Sequence, residues 1–331
     1  MAESVGSSRR PFLPLVCSLP FVIGFGPSTA AIRSQRTWTC SATFRNKHAL
    51  EVRGDLRLGV DSTRSAPSHA RLKSRLRDFW NAQTVYWEHL SEEVAVNSDN
   101  RSRAASYIPE GSRILDVACG RAANCVWALG RGEYFGVDIS MRGLQRAERT
   151  GLQLFCADAE SLPFQDRSFD VVLSTYALEH SVDPAQMLSE MTRVTQQGGR
   201  IILLGPSWDF PFWYPNSLST RAHKPLWRLR YSAKRLATQM AACIGAKSPF
   251  LIVEDPDAFS QPFEDDVDAV YVVWNFEVIR EMKRFGCELL YANSDDQLLG
   301  SNPVVRLVKQ FLMLFPAYRH AGSTCLMVFE R

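Results

Sequence analysis

Between residues 113 and 205, short apolar runs alternate with segments whose apolar positions recur every three or four residues. RILDVAC (113–119), EYFGVDI (133–139), LQLFCAD (152–158), FDVVLSTY (169–176) and RIILLG (200–205) predict buried strands. The intervening segments 121–130, SMRGLQRAERTG (140–151) and DPAQMLSEMTRV (183–194) predict helices. Ser140 is placed to cap the second of these and Gly151 to close it, and Asp183 with Pro184 opens the third. QQGG (196–199) predicts a turn. Strands alternating with helices imply crossover units, a mostly parallel sheet and helices on both of its faces. Ligands in such sheets sit beyond the carboxyl ends of the strands, so the residues just after each strand carry the information.

Outside this region the pattern is less regular. Leu76, Phe79, Trp80, Val85, Tyr86 and Trp87 predict one or two amphipathic helices between 76 and about 100. Residues 206–270 form a long aromatic and proline-rich stretch that includes WDFPFWYP (208–215). That run is either a hydrophobic cover or a lid over an apolar acceptor, and the lid is favoured because loops after strand ends tend to carry function. Residues 271–285 read as a helix, CELLYAN (287–293) as a strand, 303–315 as a helix and STCLMVFER (323–331) as a final antiparallel strand. The expected organisation is a poorly ordered or targeting-like N-terminal extension (1–75), a helical segment (76–110) and a main domain (111–331) with insertions at 206–270 and 293–320.

Of the 331 residues 46% are apolar and 22% charged, an ordinary globular composition. A net charge of +3 gives no reason to expect nucleic acid, but the charge is uneven. Residues 206–250 hold seven Lys/Arg and one acid, Asp209, whereas 254–268 hold seven acids and no base. Solvated loops of opposite sign are the plainer reading, and a basic face toward an anionic substrate or membrane the sharper one. Eight cysteines show no CxxC pair; Cys119, Cys156, Cys287 and Cys325 fall in apolar strands. That favours a reducing, cytoplasmic setting over a disulfide or zinc framework. The N-terminus leaves alternatives open. SSRRPFLP followed by an apolar run resembles a twin-arginine export signal, and residues 1–50, with Glu3 as their one acid, resemble an organellar transit peptide.

Acids stand at three successive strand ends: Asp116 within the first, Asp138 after the second and Asp158 after the third. Asp116 is followed by Ala118, Gly120 and Ala122, a small-residue turn suited to close approach of a ligand. A carboxylate at the end of the second strand can accept two hydrogen bonds from ribose hydroxyls. Asp158 is placed to accept from an exocyclic amine. Each position alone has a plainer explanation: helix–strand packing for Gly120, a helix cap beside Ser140 for Asp138, a turn acid for Asp158. Packing does not explain the three together.

ILDVACGRAAN, FGVDIS, CADAESLPF, FDVVLSTYALEH and EMTRVTQQGGRIILL together resemble class I S-adenosylmethionine-dependent methyltransferases, in particular the group that methylates quinones, lipids and other metabolites. The resemblance covers about residues 110–205 and weakens toward the C-terminus. It implies a Rossmann-like α/β fold with a seven-stranded, mostly parallel sheet whose last strand is antiparallel. It also implies S-adenosyl-L-methionine as cofactor. Asp116 and the Ala118–Gly120 turn would meet its methionine part, Asp138 its ribose, and Asp158 and Ala159 its adenine, with Ile139 and Leu162 near the ring faces. Ser174 and Tyr176 would border the pocket from the other side. Ala118 and Ala122 depart from the family's glycines. They fit where only a small side chain is needed, but left-handed geometry there would weaken binding.

The expected activity is methyl transfer to a small-molecule or lipid-linked acceptor. His180 and Tyr176 are weak candidates for a catalytic base, and His180 reads more readily as a structural residue at a helix start. A non-catalytic donor-binding scaffold is the alternative. A nicotinamide oxidoreductase would need a GxGxxG that is absent here. PVVRLVKQFLMLFPAYR, with Arg306, Lys309 and Arg319, could also lie in a membrane interface, although core packing is the plainer reading.

Overall fold

The alternation of apolar runs and helical segments folds into one mixed sheet. In the computed structural model its strands are β1 (Ser112–Val117), β2 (Gly132–Asp138), β3 (Gln153–Cys156), β4 (Phe169–Thr175), β5 (Thr195–Pro206), β6 (Glu288–Ser294) and β7 (Thr324–Glu330). Their order across the sheet is β3-β2-β1-β4-β5-β7-β6. Strands β1 to β5 pair in parallel, and β7 runs antiparallel between β5 and β6. This is the seven-stranded Rossmann-like sheet expected from the sequence, with the last strand reversed.

The structure describes residues 65–82, 87, 99–123, 128–147, 152–210, 212–245, 248–254, 256, 267–294 and 302–331. All belong to one compact unit, Arg45–Arg331. The expected N-terminal extension up to residue 64 lies outside the described residues, as do Val85, Tyr86, Gly151 and the centre of the helix expected at 121–130.

Alternation along the strands sorts the core into two layers. Leu115 and Val117, Val172, Ile201 and Leu203, and Met327 and Phe329 face one side. Ile114, Val171 and Leu173, Ile202 and Leu204, and Leu326 and Val328 face the other. Successive strand residues point to opposite faces, so a central strand buried on both sides is apolar over most of its length, with buried Asp116 in β1 and Ser174 in β4 as exceptions. Helix α4 (Pro184–Val194) covers the first layer with Met187, Leu188, Met191 and Val194, a helical repeat. As expected, the Asp183 side chain caps α4 by accepting from the Gln186 amide, 3.1 Å, and the Ser140 hydroxyl caps α3 (Met141–Gln145) by accepting from the Gly143 amide, 3.2 Å.

Four elements differ from the sequence reading. Helix α1 (Ser65–Ala82) begins within the segment assigned to the extension, because Leu72, Leu76 and Phe79 give it a buried stripe. QQGG lies inside β5, as a bulge: Thr195 pairs with Phe169, Arg200 pairs with Val171, and Gly198 absorbs the irregularity at φ +74°. The helix expected from 271 starts at Asn275 (α7, Asn275–Arg284). The preceding VDAVYVVW run is buried and non-helical, consistent with its β-branched and aromatic content. The irregular stretch after β5 contains the 19-residue helix α6 (Pro225–Cys243), preceded by the short α5 (Ser219–Ala222). Helices α2 (Asp99–Ser106) and α8 (Pro303–Leu312) complete the set used below.

Candidate functional site

The chain leaves β1 through a turn in which alternate residues are left-handed: Ala118 at φ +58°, Gly120 at +56° and Ala122 at +59°. Both alanines thus have the left-handed geometry that was expected to weaken binding. They keep the backbone path that glycine would take, at a cost on the order of 1 kcal/mol each. The turn is held by the Cys119 amide donating to the Val137 carbonyl, 3.0 Å, and the Ala122 amide donating to the Cys119 carbonyl, 2.8 Å. Asp116, fully buried at the root of the turn, accepts from the Tyr134 hydroxyl at 2.6 Å.

Asp138 ties the turn to the neighbouring strand end. Its Oδ2 accepts from the Gly120 amide at 2.8 Å and its Oδ1 from the Ser140 amide at 2.7 Å. The plainer role that the sequence left open, a carboxylate bonded at the start of α3, is therefore present together with the contact to the turn. Burial pushes the Asp138 carboxyl up to about 6; the two backbone donors and the nearby His180 pull the other way. Each oxygen retains a second lone pair for a further donor.

Asp158 lies beyond β3, with Oδ1 accepting from the Glu160 amide at 2.9 Å and Oδ2 from Lys73 Nζ at 2.8 Å. Lys73 also bonds Glu160. Burial works against the Lys73 charge, but the hydrogen bonds to Asp158 and Glu160 carry its pKa above the ordinary lysine value. Ile139 and Ala159 are half-buried beside these acids, and Leu162 is buried in the core with its amide bonded to Glu190, 2.7 Å.

The opposite wall comes from the end of β4. Ser174 is buried, and its hydroxyl donates to the Val117 carbonyl at 2.9 Å, joining β4 to β1. Tyr176 is 39% exposed, sits at φ +51° and has the Arg101 guanidinium 5.5 Å from its ring centre. A tyrosine in left-handed geometry is strained, and such residues cluster at functional sites. His180 closes the 3₁₀ turn Leu178–His180. Its Nδ1 is 3.2 Å from the Asp268 carbonyl and 3.5 Å from the Asp268 carboxylate, its Nε2 is 3.8 Å from Glu179, and Trp80 meets it edge-on.

Sequence reasoning missed the contribution of α1. This helix crosses the same strand ends, with Lys73 on Asp158 and Glu160, Trp80 Nε1 on Asp268 at 2.8 Å, and Asn81 accepting from the Ser140 hydroxyl and the Arg142 amide. The Trp87 ring lies against Gly120 and Gly143, where an added Cβ would come within 3.0 and 2.7 Å of it. The missed signal was periodic: Lys73, Trp80 and Asn81 are spaced to share one face of a helix. Glu160 was also missed. It stands inside the quoted CADAESLPF motif, and its Oε1 accepts from Ser181, Val182 and Asp183.

Of the aromatic run 208–215, Trp208 and Phe210 are buried while Phe212 is exposed. Asp209 anchors the run: its carboxylate accepts from Ser207, from the Asn275 amide and side chain, and from the Gly322 amide. Burial pushes the Asp209 carboxyl up to about 6.

Residues 115–203 match a family described as a methyltransferase domain. The chain is 37% identical over 101 residues to a demethylmenaquinone methyltransferase of Mycobacterium sp. (strain KMS), covering 30% of this chain and 44% of that one. It is 33% identical over 121 residues to phthiotriol/phenolphthiotriol dimycocerosates methyltransferase 1 of Mycobacterium ulcerans, covering 34% and 45%. An uncharacterized methyltransferase of Mycobacterium sp. (strain JLS) is 34% identical over 146 residues, covering 43% and 58%. The chain thus spans about half the length of the curated relatives it matches. Among solved structures, an S-adenosylmethionine-dependent methyltransferase from Mesorhizobium loti aligns with 72% of this chain and 100% of its own at 15% identity, TM-score 0.47.

Proposed function

We propose, from the premise that residues 115–203 form a methyltransferase domain of the S-adenosylmethionine-dependent class, that the protein transfers a methyl group from that donor to an apolar small-molecule or lipid-linked acceptor. The observation that carries the reading is the contact of Gly120 with Asp138. It brings a left-handed small-residue turn and a buried carboxylate together at adjacent strand ends, the combination that receives a nucleoside and its charged tail in sheets of this kind.

The donor set fits that molecule. Asp138 would hold the ribose hydroxyls through its remaining lone pairs, and the Ala118–Gly120 turn would lie along the methionine part. Asp158 would accept from the adenine amine, with Lys73 as a competing partner for the same carboxylate. When bound, S-adenosylmethionine supplies a methyl group already activated by its sulfonium. What remains for the protein is alignment and exclusion of water. Trp87 and α1, packed over the turn and the strand ends, supply the exclusion. His180, held by Asp268 and Glu179, is assigned a positioning role: its electrostatic reach to Asp138 favours the carboxylate form. Tyr176 is assigned to the acceptor side, a reading supported by its strain and exposure at the end of β4.

Two curated relatives carry names that specify a demethylmenaquinone and a phthiotriol substrate. Those names support an apolar acceptor here as well. The test is to incubate the full chain with donor and a lipid extract and search for products heavier by one methylene. A product dependent on Asp138 supports the reading. Donor binding without turnover on any fraction would favour a non-catalytic scaffold.

A further inference from the structure

Helices α6 and α8 are amphipathic the wrong way round for a soluble surface. On α6 the buried positions are Arg235, Gln239 and Ala242, with Arg235 only 4% exposed. On α8 the buried position is Lys309, 7% exposed. The polar groups point inward to shared partners. Arg235 bonds the Trp213 carbonyl, Gln239 bonds the Asp209 carbonyl at 3.2 Å, and Lys309 Nζ lies 4.5 Å from the Trp213 ring centre. The Tyr318 hydroxyl then joins Gln239 at 3.2 Å. Both helices are thereby fixed on the 209–213 segment by their polar stripes.

Their apolar stripes are left facing out. On α8, Val304, Leu307, Val308 and Phe311 follow helical spacing and all are exposed, Leu307 at 67%. On α6, Leu226, Leu229, Leu236 and Met240 do the same, Leu229 at 64%. Phe212, exposed on the 209–213 segment that both polar stripes grip, is held at φ +67°. Scattered exposed apolar residues need no explanation, but two helices turned inside out around one hub do.

Charge selects the occupant. Arg228, Arg230 and Lys234 on α6, with Arg306 and Arg319 on and after α8, flank these stripes. No acid occurs between Asp209 and Glu254, or from residue 297 to 329. Exposed leucine, methionine and phenylalanine bordered by cations without acids match the interface of an anionic bilayer, where apolar groups enter the acyl boundary and the cations meet headgroups. No described helix is long and apolar enough to cross a membrane. We propose that α6, Phe212 and α8 form a monotopic docking face for an anionic lipid surface. The face stands on exposure and charge and does not rest on the methyl-transfer reading.

The test is co-sedimentation of the full chain with phosphatidylcholine vesicles, with and without phosphatidylglycerol. The expected result is partition to the anionic vesicles that weakens at high salt. It should fall at least tenfold in Leu307→Asp/Phe311→Asp and again in Leu229→Asp/Met240→Asp, each removing two apolar anchors. These side chains are exposed, so circular dichroism of both variants should match the parent. Absence of partition, or equal partition of parent and variants, would overturn the proposal. So would a lipid-free dimer that the same substitutions convert to monomer, which would assign the face to a second copy of the chain.

Discussion

The Gly120 amide donates to Asp138 Oδ2 at 2.8 Å, so the left-handed turn after β1 and the carboxylate ending β2 form one unit. The same carboxylate receives the Ser140 amide at the start of α3. One buried acid therefore fixes the turn, the strand end and the helix that together would surround a nucleoside.

Donor binding should depend on the charge of that acid. With the Asp138 carboxyl raised to about 6, affinity for S-adenosylmethionine should be level above pH 7 and fall as pH drops through 6, approaching about tenfold per pH unit below it. Asp138→Asn keeps an acceptor for one of the two backbone donors and loses the charge. It should bind the donor about tenfold or more weakly and show no inflection near pH 6 in titration calorimetry. An unchanged inflection in this variant would remove the ribose assignment.

Stability should respond to pH in the opposite sense. Burial raises Asp138 and Asp209 to about 6 and Glu277 to about 7, all above their ordinary values. The folded chain thus binds more protons than the unfolded one at these groups. Their contribution is fully present below about pH 4 and is lost as pH rises through 6 and 7. Thermal midpoints should therefore rise as pH is lowered from 8 toward 5.5. Asp209→Asn removes the titrating group, keeping an acceptor for one of the Asn275 and Gly322 amides, which bond different oxygens, and should flatten that slope.

The alanines of the turn offer a test in which two effects compete. Relief of left-handed strain is worth about 1–2 kcal/mol per residue, while the entropy of an added glycine costs about 0.5–1 kcal/mol. Ala118 is partly buried, so Ala118→Gly should stabilise the fold by roughly 0.5 kcal/mol. Ala122 is 1% exposed within the core, and losing its methyl costs about 0.8 kcal/mol more, so Ala122→Gly should be close to neutral or slightly destabilising. Urea denaturation separates the two; equal gains at both positions would contradict the strain argument.

The sheet was legible because its code is local. Each central strand is buried on both faces, so Ile114–Val117 and Val171–Leu173 read as apolar runs, broken in the first case only by the buried Asp116, and Ser140 and Asp183 mark helix starts by a chemistry confined to a few residues. The strand-end acids were legible for the same reason. Lys73 and Trp80 were not, because their importance comes from partners far along the chain, 85 and 188 positions away. Helix α6 escaped because its buried stripe is Arg235, Gln239 and Ala242, and a search for periodic apolar residues finds the outward face instead. Ser174 adds a role that the sequence does not show: its hydroxyl donates to the Val117 carbonyl.

Glu160 and Lys73 form one contact but should behave differently when removed. Glu160 Oε1 gathers the Ser181 hydroxyl at 2.9 Å and the Val182 and Asp183 amides at 3.1 and 2.9 Å, with its side chain only 9% exposed. Glu160→Ala leaves these donors without their acceptor and should cost about 3 kcal/mol in chemical denaturation. The Lys73 side chain is 29% exposed, so solvent screens its ion pairs and Lys73→Ala should cost about 1 kcal/mol or less. Its effect should be local. Lys73 pins α1 to the strand ends, so amide exchange should accelerate in residues 70–82 of Lys73→Ala while β1, β4 and β5 keep the protection of the parent. Uniformly faster exchange across the sheet would show that Lys73 supports the whole fold rather than the docking of α1.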